Sequence, residues 1–212
     1  MALFQKKPQV SSSAPLYTLG SNRTLLIVGL GNLDKQYQKT RHNVGFDVAD
    51  FFAEHNEFPA WTTKKDLRCE ITIQNLGESR VILAKPSTFM NNSGEAVRAL
   101  QHFYKIPVSQ TLVAYDELAI EFGQLRTRVG GSDAGHNGVK SLIAYLGEDF
   151  GRLRIGVASP ISAKADAAEF VLGKFTKEEQ AKLPMILKEA SAIITEYIFS
   201  PGGLIAQTRE VI

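Results

Sequence analysis

Thr40-Arg41-His42-Asn43 places one imidazole beside a carboxamide, just past an apolar run that ends in Gly29-Leu30-Gly31-Asn32. A neutral imidazole can take a proton from water as that water attacks a carbonyl. A carboxylate that orients the ring and stabilises the imidazolium would strengthen such a base. Asp116, expected at a strand end before a loop, is the best-placed candidate. Two further segments pair glycine with asparagine: Lys85-Pro86-Ser87-Thr88-Phe89-Met90-Asn91-Asn92-Ser93-Gly94 and Gly135-His136-Asn137-Gly138. Asn32, Asn91 and Asn137 can each donate an amide N–H to a carbonyl or developing oxyanion, and each can accept a substrate N–H. Caps and turns explain asparagines equally well. Their joint placement at element boundaries favours one shared site, a water-activating hydrolase with neither metal nor covalent nucleophile.

Other chemistries fit less well. Gly29-Leu30-Gly31-Asn32-Leu33-Asp34 lacks the third glycine of a dinucleotide fingerprint, and Asp34 in its place would repel phosphate. The histidines His42, His55, His102 and His136 lack ligand spacings such as two on one helix face, and no cysteine pair supports them. No metal is expected. His55 and His102 lie in polar helical stretches and read as solvated surface positions. Ser93 lacks a strained strand-to-helix elbow, and an N-cap role explains it. Cys69 begins a strand and reads as a small buried apolar residue.

These residues need a frame that brings strand ends together. Leu25 to Val28 reads as a buried strand closed by Gly29. A helix from about Asn43 to Phe52 follows, with Asn43 as its cap. Cys69–Leu76 and Arg80–Ala84 form a hairpin through Gly77-Glu78. Asn92-Ser93 caps a helix running to about Tyr104, which Ile106-Pro107 stops. Thr111 to Tyr115 is a strand ending at Asp116-Glu117, and Gly123 to Val129 another. The spacing then predicts a helix from Asn137 to Leu146, a strand from Leu153 to Ala158, and a helix from Lys177 to Phe199 carrying Pro184. Strands alternating with helices, interrupted by a hairpin, predict a single α/β domain. Its sheet should be mixed, mostly parallel and twisted, with helices on both faces.

At 212 residues and 44% hydrophobic content the chain can bury a full core in one domain. The net charge of +2 announces no global nucleic-acid field, although a local basic stripe remains open. One cysteine excludes an intrachain disulfide and fits a reducing compartment. No run approaches the roughly 18 apolar residues needed to span a bilayer. Residues 1–22 are polar, with Lys6 and Lys7, no apolar core and no arginine until the last of them is passed. They read as a flexible extension rather than a secretory signal, leaving 23–212 as the catalytic domain.

Taken together and in order, several stretches resemble the bacterial-type peptidyl-tRNA hydrolases. They are Val28-Gly29-Leu30-Gly31-Asn32, Tyr37, Thr40 to Gly45, Lys85-Pro86 with Thr88 to Gly94, Asp116-Glu117-Leu118, Gly135 to Gly138, and Arg152-Leu153-Arg154-Ile155-Gly156. The resemblance runs from about Leu25 to the C-terminal helices. It implies a cofactor-free, monomeric, cytoplasmic enzyme that hydrolyses the ester joining a peptide to the 3′ end of tRNA. His42 would be the general base and Asp116 its supporting carboxylate. Asn32 would recognise the acylated amino group, and Asn91 and Asn137 would hold the peptide and the terminal adenosine. Tyr37, Phe89 and Met90 would line the cleft, and His136 would help organise its water. Arg128 and Arg154 match positions that contact tRNA phosphate. Arg126, Lys140 and Arg152 could extend that patch.

The chain departs from the family in two places. Leu33-Asp34 stands where Pro-Gly usually follows the first asparagine, and Asp133 enters a loop that is mostly glycine-rich and neutral. Two rival readings remain: an RNA-binding module on the same fold without turnover, and a small-molecule carboxylesterase insensitive to salt.

Overall fold

The computed structural model describes residues 23–212 except 161, 163, 164 and 201. The expected N-terminal extension, residues 1–22, lies outside the described residues. The strands are β1 (Thr24–Gly29), β2 (Thr62–Lys64), β3 (Cys69–Leu76), β4 (Ser79–Pro86), β5 (Thr111–Glu121), β6 (Gln124–Val129), β7 (Gly151–Ala158) and β8 (Gln207–Glu210). The helices are α1 (Val44–His55), α2 (Ser93–Tyr104), α3 (Asn137–Leu146), α4 (Ala167–Leu172) and α5 (Lys177–Phe199).

One sheet has the order β2-β3-β4-β1-β5-β7-β6-β8. Its four central strands, β4-β1-β5-β7, pair in parallel, and both flanks are antiparallel. The sheet is mixed as expected but not mostly parallel: three of its seven pairings are parallel, all at the centre, and four are antiparallel, because the β3–β4 hairpin and the edge strands add antiparallel flanks. Strand β1 shows why helices must cover both faces. Its alternate residues Leu25 and Ile27 pack with Val44, Val48 and Phe52 of α1 and Ile193 and Ile194 of α5. Leu26 and Val28 instead pack with Val97 and Leu100 of α2 and Val139 and Leu142 of α3. Full burial of each such side chain contributes about 1.5–3 kcal/mol, so β1 anchors two cores at once.

Several local expectations are corrected. Strand β5 does not end at Asp116: Asp116 pairs with Ile155 and Glu117 with Gly156, and the strand runs on past an irregularity to Glu121. The charged side chains hid this continuation, because they follow an apolar run and read as its end. Ser93 is the first residue of α2 rather than its cap; its buried Oγ donates to the Met90 carbonyl at 2.8 Å. Strands β2 and β8 and helix α4 were not anticipated, being short and without a sustained period. Helix α5 continues through Pro184, and its start is fixed by a capping box between Thr176 and Glu179.

Glycine sets how closely α1 meets the sheet. A Cβ on Gly29 would lie 2.2 Å from the Gly45 carbonyl oxygen, and one on Gly45 would lie 2.3 Å from the Ala114 carbonyl oxygen. The start of α1 is therefore pressed onto the end of β1 and the middle of β5, which brings the turn before α1 to Asp116.

Candidate active site

His42 sits in a single 3-10 turn, Arg41–Asn43, whose three residues are all buried. Its Nδ1 lies 2.9 and 3.1 Å from the two carboxylate oxygens of Asp116. His136 approaches the same carboxylate from the other side, with Nε2 3.1 Å from Oδ1. The imidazole centroids of the two histidines are 4.8 Å apart, and Tyr115 meets His136 edge-on at 5.0 Å.

The histidine tautomers follow from these partners. His136 is the N-cap of α3, and its Nδ1 accepts from the backbone N–H groups of Gly138 and Val139 at 3.1 and 3.3 Å. An accepting Nδ1 leaves the proton on Nε2, which then donates to Asp116. His42 Nδ1 donates to Asp116 as well, so His42 Nε2 is the nitrogen with a free lone pair. Asp116 is only 3% exposed. Burial opposes its charge, but His136 and His42 outweigh that and hold its carboxyl well below the usual carboxylate range.

His136 thus meets protein groups with both ring nitrogens, Nε2 against Asp116 and Nδ1 against the α3 amides. Its position immediately before a helix was the readable sign of a cap. His42, Asp116 and His136 also bring ligand-type atoms within 4.8 Å of one another. The spacing test overlooked this grouping because it sees only local pairs. The chemistry of the donors nevertheless disfavours an ion there. His136 Nε2 could become a ligand only if Nδ1 took the proton and gave up both α3 amides.

A second network orients Asn32. Its backbone N–H donates to Asn43 Oδ1 at 2.9 Å, and Asn43 Nδ2 donates back to the Asn32 carbonyl at 2.9 Å. Asn43 makes no side-chain cap to α1, contrary to expectation. The Met90 N–H donates to Asn32 Oδ1 at 3.0 Å, which leaves Asn32 Nδ2 as the free donor end. The Leu33-Asp34 departure does not disturb this. Asp34 has ordinary extended backbone (φ −61°, ψ 137°), and neither residue needs a positive φ.

The remaining expected residues divide by exposure. Asn91 is exposed in the turn leading into α2 and Asn137 is exposed as the first residue of α3, next to Met90 and His136 respectively. Met90 is buried and offers its N–H and packing rather than an open surface, whereas Phe89 is 65% exposed. Tyr37 is half-buried, and its carbonyl accepts from Thr40 Oγ1 at 2.7 Å. Asp133 turns its carboxylate to the Gly135 N–H at 2.8 Å, shaping the approach to His136.

Across the β6–β7 pair, Arg126 faces Arg154 and Arg128 faces Arg152. Among the described residues Arg126, Arg128 and Arg154 make no ion pair, and the Nε of each is buried without a partner. Partial burial and the nearby Arg128 lower the Arg154 pKa from its ordinary value, as expected where positive charge is left uncompensated. Gly131, at φ +99°, makes room for Arg128: a Cβ there would lie 2.5 Å from the guanidinium carbon. Arg152 does not belong to an open patch. It is fully buried, and its donors go to the Gly131 and Ser132 carbonyls. Lys140 is exposed on α3, and His55 and His102 are surface residues as expected. A separate cavity of about 990 Å³, bordered by Leu118, Phe122, Ala158, Thr176 and Lys182, contains none of the histidine–aspartate cluster.

Residues 26–209 match the family model described as Peptidyl-tRNA hydrolase. The peptidyl-tRNA hydrolase of Clostridium novyi is 42% identical over 185 residues, covering 87% of this chain and 96% of that protein. That of Mycolicibacterium smegmatis is 44% identical over 179 residues, covering 84% and 92%. The crystal structure of peptidyl-tRNA hydrolase from Acinetobacter baumannii superposes with a TM-score of 0.77 at 32% identity, covering 84% of this chain and 89% of that one.

Proposed function

The chain belongs to the peptidyl-tRNA hydrolase family, and from that membership we propose how its own residues carry out the reaction. It hydrolyses peptidyl-tRNA, a translation-related activity. In our reading His42 Nε2 takes a proton from a water that attacks the carbonyl of the ester at the tRNA 3′ end. Asp116, kept ionised, holds the ring through Nδ1 and stabilises the imidazolium. Collapse of the tetrahedral intermediate breaks the bond to the ribose oxygen, which receives the proton from His42.

The carboxamides act as donors around that centre. With Oδ1 engaged by Met90, Asn32 turns Nδ2 toward substrate. It would donate to the acyl carbonyl that a peptide has and a free aminoacyl group lacks. Asn91 and Asn137 would hold the peptide and terminal adenosine, with Tyr37 and Phe89 along the cleft and Met90 beneath it. Arg128 and Arg154, aided by Arg126 and Lys140, would engage phosphate at the acceptor end, giving sequence-blind and salt-sensitive binding. The proposed site needs no residue from a second copy, and we read the enzyme as a monomer built on residues 23–212. The bacterial relatives support work in the cytoplasm. Among the described residues no helix is long and apolar enough to cross a membrane.

The observation that supports this mechanism is the hydrogen-bond geometry: His136 Nδ1 against the α3 amides, Asp116 between two imidazoles, and His42 joined to Asp116 through Nδ1. The test is release of the amino acid from an N-acetyl-aminoacyl-tRNA. His42→Ala should reduce turnover to background with the fold unchanged by circular dichroism. Near-normal turnover by that variant would remove His42 as the base.

A further inference from the structure

The residue before His42 is as buried as the catalytic cluster, yet the reaction described above makes no use of it. Arg41 is 4% exposed, and its guanidinium reaches into the junction between α4 and α5. There Nη2 donates to Glu179 Oε2 at 2.8 Å and Nη1 to the Lys174 carbonyl at 2.9 Å. The guanidinium lies 4.1 Å from the Phe170 ring centroid and 5.4 Å from that of Phe175. The backbone joins in: Arg41 N–H donates to the Gly173 carbonyl at 3.0 Å, and Thr40 bridges to Lys174. Glu179 is itself fixed, because the same Oε2 accepts from the Thr176 N–H at 2.7 Å in the capping box of α5.

The His42 turn is therefore held on two sides. One side is the Asp116 contact. The other is a socket for Arg41 built from a segment more than a hundred residues later in the chain. Three chemistries meet in that socket: a buried ion pair, carbonyl acceptors, and aromatic faces. A guanidinium satisfies all three at once, because it is planar, forked and always charged; a lysine ammonium offers no fork or plane. A surface ion pair would be a weak constraint, but both partners here are nearly excluded from water.

We infer that Arg41, seated on Glu179 and the α4–α5 junction, is a positioning residue that sets the distance and angle of His42 relative to Asp116 and the bound ester. It touches neither substrate nor reacting atoms. The inference rests on His42 acting as the base. Misplacing a catalytic group by about 1 Å can cost on the order of a hundredfold in rate without weakening substrate binding. A purely structural Arg41 would instead lower stability and the folded fraction together.

The test compares wild type, Arg41→Met, Glu179→Gln, Glu179→Leu, the double variant Arg41→Met/Glu179→Leu, and His42→Ala, all on N-acetyl-aminoacyl-tRNA. Steady-state kinetics across pH are measured alongside thermal melting. Arg41→Met should lower kcat by about 10- to 100-fold with KM within about twofold, and should move the acidic limb of the kcat profile. Glu179→Gln, whose amide oxygen can still take both donors, should lose less. The double variant removes both buried charges, and such replacements commonly restore stability. Its melting temperature should recover above that of either apolar single variant while kcat stays at least about tenfold down. The positioning role is overturned if kcat recovers with stability in the double variant, if Arg41→Met tracks the folded fraction only, or if KM rises at constant kcat. Wild-type turnover retained by His42→Ala would overturn the base assignment itself, an outcome distinct from failure of the clamp.

Discussion

Replacing Asp116 with asparagine should be far more damaging than its near-identical shape suggests. Asp116 Oδ1 accepts from both His42 Nδ1 at 2.9 Å and His136 Nε2 at 3.1 Å, while Oδ2 lies 3.1 Å from His42 Nδ1. An asparagine oxygen could keep the shared position, but its NH2 would then face the His42 Nδ1–H. His136 cannot adapt, because α3 holds its tautomer. His42 can adapt, by moving its proton to Nε2 and accepting at Nδ1, and that is the tautomer unable to act as a base. The imidazolium formed during reaction would also lose a buried carboxylate roughly 4 Å away. At an effective dielectric of about 20 this interaction is worth about 4 kcal/mol, or about three decades in rate. Single-turnover release from N-acetyl-aminoacyl-tRNA should therefore fall about a thousandfold in Asp116→Asn, with KM within about threefold. Asp116 itself stays ionised in the folded protein to well below ordinary carboxylate pH, so loss of its charge in the variant is felt across the working range. A loss of less than tenfold would refute both the tautomer reasoning and the charge estimate.

Four other outcomes follow from other contacts. His136→Ala removes a helix cap and one donor to Asp116; it should cost about 1 kcal/mol of stability and about tenfold in kcat, both measured on the same sample. His136→Asn can still cap α3 but its shorter amide should not reach Asp116, so melting temperature should recover and kcat should not. Arg128→Ala or Arg154→Ala should weaken binding of full tRNA substrates and reduce the log–log salt slope by about 1, while turnover of short esters is spared; an unchanged slope removes that arginine from the phosphate patch. Burial, with a smaller contribution from Asp50, raises Asp47 from 3.8 to about 6. The folded state then binds more protons than the unfolded state between those values, so stability falls as pH rises through that window. Asp47→Asn should add at most about 3 kcal/mol above pH 6 and nothing near pH 3, as read by urea unfolding at both pH values.

The larger elements were legible because their hydrophobic periods are long and bounded by turn residues. The limits of β3, α2, α3 and α5 agree with the sequence expectation almost to the residue. The misses share a cause. Residues Gln207–Glu210 have no apolar run, and they become a strand because β6 offers an edge and Arg209 reaches Glu189 and Glu196 on α5. β5 outlasts its apolar part because Asp116 and Glu117 find partners on β7. In both cases tertiary pairing overrides local pattern, and a window along the chain carries no trace of it.

The site divides along the same line, between residue type and hydrogen-bond direction. Residue type and boundary placement were enough to nominate His42, Asp116 and the asparagines as candidates. It could not reveal that Asn43 serves Asn32 rather than α1, or that His136 spends both nitrogens on protein groups. Those roles depend on which atom of a symmetric-looking side chain is already engaged. A base needs a free lone pair and a donor needs a free N–H, so in the proposed mechanism the reactive ends of His42 and Asn32 follow from the partners that take their other ends. In the proposed mechanism the same reasoning gives Asn43 and His136 an indirect influence on the chemistry, through the groups they engage. It also separates them from Asn91 and Asn137, whose exposed amides are free to turn, and whose orientation only a bound substrate would fix.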